Sequence, residues 1–154
     1  MLEIANAMLR KFANEQVPMI EFCQPEITAF SPEALTVKIP FANQTKNHLN
    51  SMYFGAMAVG ADVAGGLMAF SMIEQQQLPI NLVFKDFHAN FIKRPEADVL
   101  FHCEEGKKIQ KMVMECMSSG ERVTDEIRIT ATCPEKFDQE LVAEFQLTLS
   151  LKKR

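Results

Sequence analysis

From Met52 to about Gln77 the chain is apolar on almost every face, and Asp62 is the only charge between Met52 and Ile73. A helix that is apolar all round is buried inside a protein or a bilayer rather than laid on a solvated surface. At 1.5 Å per residue it spans roughly 39 Å, the width of a small domain. The rest of the fold must be arranged around it. Gly55, Gly60, Gly65 and Gly66 fall in this segment, and each costs about 1 kcal/mol relative to Ala in a helix interior. Close approach of a sheet to the helix would offset that cost. A bilayer span is the competing reading by length. Against it, a central carboxylate costs on the order of 3 kcal/mol to insert, and the glycines and alanines dilute the hydrophobicity.

The flanking segments read as elements of a soluble domain. Leu2, Ile4, Ala5, Met8, Leu9 and Phe12 stand at helical spacing before Pro18, which predicts a short amphipathic flank or lid over residues 2–22. Ile27 to Pro40 reads as two strand pieces around Ser31-Pro32-Glu33, with Leu35, Val37 and Ile39 alternating against Thr36 and Lys38. Asn43 to Ser51 is a polar loop. Strands are expected at Leu82–Ile92, closed by Lys93-Arg94-Pro95, and at Asp98–Cys103, Val123–Cys133 and Val142–Leu151. Ile109, Met112, Val113, Cys116 and Met117 make a short amphipathic helix that Ser119-Gly120 ends. A long helix followed by consecutive strands favours an α+β fold, an antiparallel sheet around that helix.

Composition narrows the partners. The 154 residues suit one domain over 1–154, and 47% hydrophobic with 23% charged residues excludes disorder. Sixteen basic against twenty acidic residues, without a Lys/Arg stripe, argue against nucleic acid. Cys23, Cys103, Cys116 and Cys133 form no CxxC pair, and His88 and His102 have no ligand-like spacing to acids, so no metal or other cofactor is expected. The first residues lack the basic start and cleavage site of a secretory peptide, so a cytoplasmic location with free thiols is expected.

Asn47 to Asp62, NHLNSMYFGAMAVGAD, resembles the loop-to-helix segment of small hotdog-fold thioesterases, the phenylacetate-pathway type and its uncharacterised thioesterase-like relatives. Those proteins carry an Asn, then Gly three residues on, His three further, a Gly-rich helix, and an acid nine residues after the His. Asn47, Gly55 and Asp62 match; Asn50 stands where Gly is usual and Tyr53 where His is usual. The strand end Phe91-Ile92-Lys93-Arg94-Pro95 is also similar to that superfamily's. The resemblance implies a hotdog fold, a homodimer or dimer of dimers, and hydrolysis of an acyl-CoA thioester at a dimer-interface site, with coenzyme A entering only as part of the substrate. A non-catalytic hotdog module that binds an acyl chain or acyl-CoA is the alternative, and Tyr53 and Asn50 favour it.

Each candidate residue carries two readings. Asp62 is either a general base, its pKa raised by burial, or a structural carboxylate. By the resemblance Asn47 orients substrate or water; the ordinary alternative is a turn-forming Asn. Gly55 lies where helix-start N–H groups polarise a thioester carbonyl, or serves close packing. Tyr53 either donates a hydrogen bond in place of His or is half-buried with a wet hydroxyl. Ser51 reads first as a helix N-cap and second as a substrate contact. His48 reaches the site or faces solvent. Met52, Met57, Met68 and Met72 line an adaptable acyl tunnel or fill the core. Lys93, Arg94, Lys107 and Lys108 meet the phosphates of coenzyme A or are solvated surface.

Overall fold

A computed structural model describes residues 1–154. The chain opens with helices α1 (Leu2–Gln16) and α2 (Pro18–Phe22). Of the expected stripe, Ala5 and Leu9 are buried and Met8 and Phe12 half-buried, while Leu2 and Ile4 are exposed. Pro18 does end the first helix, and it also starts the second, because at a first helical position its fixed φ fits and its missing N–H is not needed. Strands β1 (Glu26–Phe30) and β2 (Leu35–Ile39) follow, then the central helix α3 (Phe54–Gln75).

After it come β3 (Ile80–Phe91), β4 (Val99–Cys103), α4 (Gly106–Ser119), β5 (Val123–Thr132), a one-turn helix α5 (Pro134–Phe137) and β6 (Leu141–Lys153). The six strands form one sheet in the order β1-β2-β4-β5-β6-β3, every pair antiparallel. The helix α5 was not foreseen. Gly120, at φ 70°, ends α4 in the left-handed conformation that Gly tolerates best.

The sheet wraps α3, which packs on β2, β3, β4, β5 and β6. Although α3 is long and apolar enough to cross a bilayer, most of it is buried by these strands. At Gly60 the close approach is real: a Cβ there would stand 2.3 Å from the ring of Phe101 on β4. At Gly65 and Gly66 it is looser, with the nearest atoms 3.6 and 3.4 Å away.

Along β3 the pairing with β6 slips between Phe84 and Asp86, leaving Lys85 as the extra residue of a β-bulge. The bulge inverts the alternation. Ile80, Leu82 and Phe84 sit opposite Lys153, Leu151 and Leu149 before it, and Phe87, Ala89 and Phe91 sit opposite Leu147, Phe145 and Ala143 after it. Phe87 and Phe91 therefore reach the concave side, where their rings lie 5.7 and 6.0 Å from the buried ring of Phe145.

The two edges of the sheet differ. The edge at β1 is partly occupied by the Asn6 side chain of α1, which donates to the Ile27 carbonyl (2.9 Å) and accepts from the Ile27 N–H (2.8 Å). The edge at β3 pairs only with β6 and exposes Val83, Phe87, Phe91 and the following Ile92.

Candidate active site

Asp62 sits in the third turn of α3 and faces a cavity of about 210 Å³. The walls are Leu9 and Phe12 of α1, Val17, Ile20 of α2, Val63, Gly66, Leu67 and Phe70 of α3, and Leu82, Val83 and Phe84 of β3. Ten of the twelve lining residues are hydrophobic, and Asp62 is the one that carries a charge. Burial pushes its carboxyl up to about 6. No neighbouring charge or hydrogen bond contributes to that shift. A structural carboxylate is normally paired or hydrogen-bonded, because an unpaired one is costly to bury. Asp62 is instead poised between its acid and base forms near neutral pH, the condition a general base needs.

The loop before α3 is built by local bonds. Asn47 Oδ1 accepts from the backbone N–H groups of Leu49 (2.9 Å) and Ser51 (3.1 Å) and from the Ser51 hydroxyl (3.2 Å). Asn50 adopts φ 58°, a left-handed conformation that Gly reaches freely and Asn better than most side chains. This explains how Asn50 replaces the Gly of the resembling segment. The loop is then pinned where Met52 N–H donates to the Pro95 carbonyl and Tyr53 N–H to the Thr45 carbonyl.

Those anchors delay the helix. Ser51 does not cap α3; Tyr53 occupies the cap position without a side-chain cap bond. Met57 N–H donates to the Tyr53 carbonyl (3.1 Å), so the N–H groups of Phe54, Gly55 and Ala56 have no partner within the helix. A Cβ on Gly55 would stand 2.3 Å from the Tyr53 ring, so this glycine lets the ring lie across the helix start.

Asp62 and the motif at the helix start do not meet within the chain. Gly55 and Asp62 are seven residues apart, hence on one face of α3 but roughly 10 Å apart along its axis. Asn47, His48, Ser51, Met52, Tyr53, Gly55, Met57 and Arg94 all lie outside the cavity lining. His48 and Arg94 are exposed, as is Tyr53, while Ser51 is buried. Met52, Met57 and Met68 are core residues and Met72 faces a groove beside α4, so none of the four lines the Asp62 cavity. Lys93 and Lys108 pair with Glu140 and Glu105, leaving Arg94 and Lys107 as the exposed cations of that set.

The cavity residues supplied by α1, α2 and β3 were not foreseen as part of a site. Their apolar spacing marks buried faces but not what those faces cover. Thr36 and Thr132 hydroxyls hold the two ring nitrogens of His102 at 3.2 and 2.9 Å, a satisfied structural histidine away from Asp62. No three of the His, Cys, Asp and Glu side chains cluster as a metal site would require.

Residues 5–150 match the model of a domain of unknown function, DUF4442. The chain belongs to the DUF4442 family. The fold of this DUF4442 protein is the hotdog fold, as its likeness to solved structures shows. A protein of unknown function from Chlorobaculum tepidum superposes with a TM-score of 0.83 at 14% identity, over 99% of this chain and 97% of that one. A candidate thioesterase from Shewanella oneidensis gives 0.79 at 16% identity, over 96% and 97%. A thioesterase from Haemophilus influenzae gives 0.71 at 16% identity, over 99% and 91%. No curated protein matches the sequence.

Proposed function

We propose that this DUF4442 protein is an acyl-CoA thioesterase working as a homodimer, or a dimer of dimers, with Asp62 as general base. The observation that carries the reading is an unpaired carboxylate in an apolar cavity, its pKa held at about 6 by burial alone. The thioesterases with the same fold supply the reaction class.

The open β3 edge supports the dimer. It is long and bears exposed Val83, Phe87 and Phe91, continued at the helix start by Tyr53 and Phe54, the last 62% exposed. The rings of Tyr53 and Phe54 lie 4.9 Å apart, and those of Phe54 and Phe91 6.3 Å. An unprotected apolar edge invites pairing with a second copy, and two-fold pairing uses the same surface on both. Leu82, Val83 and Phe84 of that edge also line the Asp62 cavity, so such a dimer sets each Asp62 beside the interface. The roughly 10 Å between Asp62 and its own helix start is then spanned by the other subunit's helix start.

In the proposed reaction the Asp62 carboxylate removes a proton from water as the water oxygen adds to the thioester carbonyl. The N–H groups near Gly55 stabilise the oxyanion, and Asn47 keeps the loop that presents them in place. Collapse expels the coenzyme A thiolate, which takes up a proton; thioester and water give carboxylic acid and thiol. Tyr53, Arg94 and His48, all exposed, are assigned to contacts with the substrate at the helix start. The second reading, a binding module for an acyl chain or acyl-CoA, is favoured by Tyr53, which stands where His is usual and whose exposed hydroxyl makes no hydrogen bond to any loop residue. Free-thiol release from a panel of acyl-CoAs decides between them. Turnover supports the enzyme; a raised melting temperature without turnover supports the module.

A further inference from the structure

One wall of the Asp62 cavity comes from outside the sheet and its central helix, from Leu9, Phe12, Val17 and Ile20. This N-terminal segment is fastened to the sheet by the paired bonds of Asn6 to Ile27. At the cavity it is fastened by Phe12, whose ring lies 4.5 Å from that of Phe70. The α3 residues that line the cavity run from Asp62 to Phe70, roughly 12 Å along the helix. The carboxylate thus stands at one end and the aromatic pair at the other. A volume of about 210 Å³ has room for about seven groups of methylene or water size at about 30 Å³ each.

We infer that α1 and α2 complete an acyl pocket within each protomer and that the Phe12–Phe70 pair is its floor, limiting the acyl group to about six to eight carbons. This rests on the reading of Asp62 as the reacting end. The head of the chain lies at the carboxylate, where water attacks, and its tail lies against the two rings. Longer chains require the pair to part.

Two series test this on the full-length protein: hydrolysis of butyryl- to palmitoyl-CoA, and melting shifts from S-alkyl-CoA thioethers of the same lengths, which cannot be cleaved. Wild type peaks at hexanoyl or octanoyl in both. Phe12→Ala removes half of the floor and moves both peaks to decanoyl or beyond. Gly66→Ala adds a methyl that meets Phe84 at 3.4 Å inside the cavity, and moves them to shorter chains. Gly65→Ala adds its methyl at a residue outside the lining, in ordinary contact with Ile129, Phe84 and Leu147 at 3.6 to 3.7 Å, and leaves the peaks in place. An unchanged length preference in both Phe12→Ala and Gly66→Ala overturns the inference; should Phe12→Ala unfold, Gly66→Ala decides alone. Shifted thioether peaks with no thiol released from any substrate keep the pocket and remove the hydrolase. Thiol release that Asp62→Asn abolishes, with peaks unmoved in the pocket variants, does the reverse.

Discussion

Asp62 links stability and chemistry with opposite signs. Its carboxyl titrates near 6 in the fold against 3.8 for an unperturbed Asp, so the folded state holds this proton more tightly than the unfolded chain. The wild type therefore loses stability as pH rises from about 4 through about 6, while the base form needed for hydrolysis appears over the upper part of the same range. At about 1.4 kcal/mol per pKa unit the loss is of order 3 kcal/mol at most. Asp62→Asn escapes it, and the variant should melt several degrees above wild type at pH 8 and level with it near pH 4. Equal melting curves at both pH values would contradict the half-buried, unpaired carboxylate. The sequence already singled Asp62 out, as a lone charge in an apolar run. It also marked the loop residue Asn47, whose bonds to Leu49 and Ser51 prove to be those of a turn former. The capping role read for Ser51 fails because Met52 is tied to Pro95, distant in sequence, and Tyr53 to Thr45 across the loop, bonds that no side-chain capping pattern records.

At the scale of elements, periodicity revealed nearly every helix and strand, since burial against one neighbour leaves a period of two or of three to four residues. It could not reveal what two buried faces enclose. The stripe on α1 and the strand over Leu82–Ile92 were legible, but the cavity they share over Asp62 arises from their meeting in space. The bulge at Lys85 was likewise hidden, because one extra residue inverts the inward face without changing composition. The glycines of α3 divide by what they meet. Gly60→Ala drives a methyl into the Phe101 ring, an overpacking cost of about 1–3 kcal/mol that exceeds the gain in helix propensity, and should lower the melting temperature. Gly65→Ala meets only ordinary contacts and should be neutral or stabilising by up to about 1 kcal/mol. Thermal melts of the pair check both, and a stabilised Gly60→Ala would contradict the tight sheet-to-helix approach.

As a whole molecule the chain presents a partly occupied sheet edge and an open one, and only the open edge adjoins the cavity. Light scattering should show a dimer or tetramer of the 17.4 kDa chain. Phe54→Glu, placing a carboxylate on the exposed aromatic end of the β3 face, should weaken association at least about tenfold and reduce turnover in parallel. A wild type that is monomeric at every concentration, or a monomeric variant with full activity, would contradict a site completed across the interface. The most direct test of the account is the pH–rate profile of acyl-CoA hydrolysis for wild type and Asp62→Asn, measured at unchanged substrate affinity. General-base loss typically costs 10²- to 10⁴-fold, so wild-type kcat should rise through pH 6 to a plateau while the variant stays at least about a hundredfold lower and flat; a variant within twofold of wild type on that plateau would contradict the assignment of Asp62 as the base.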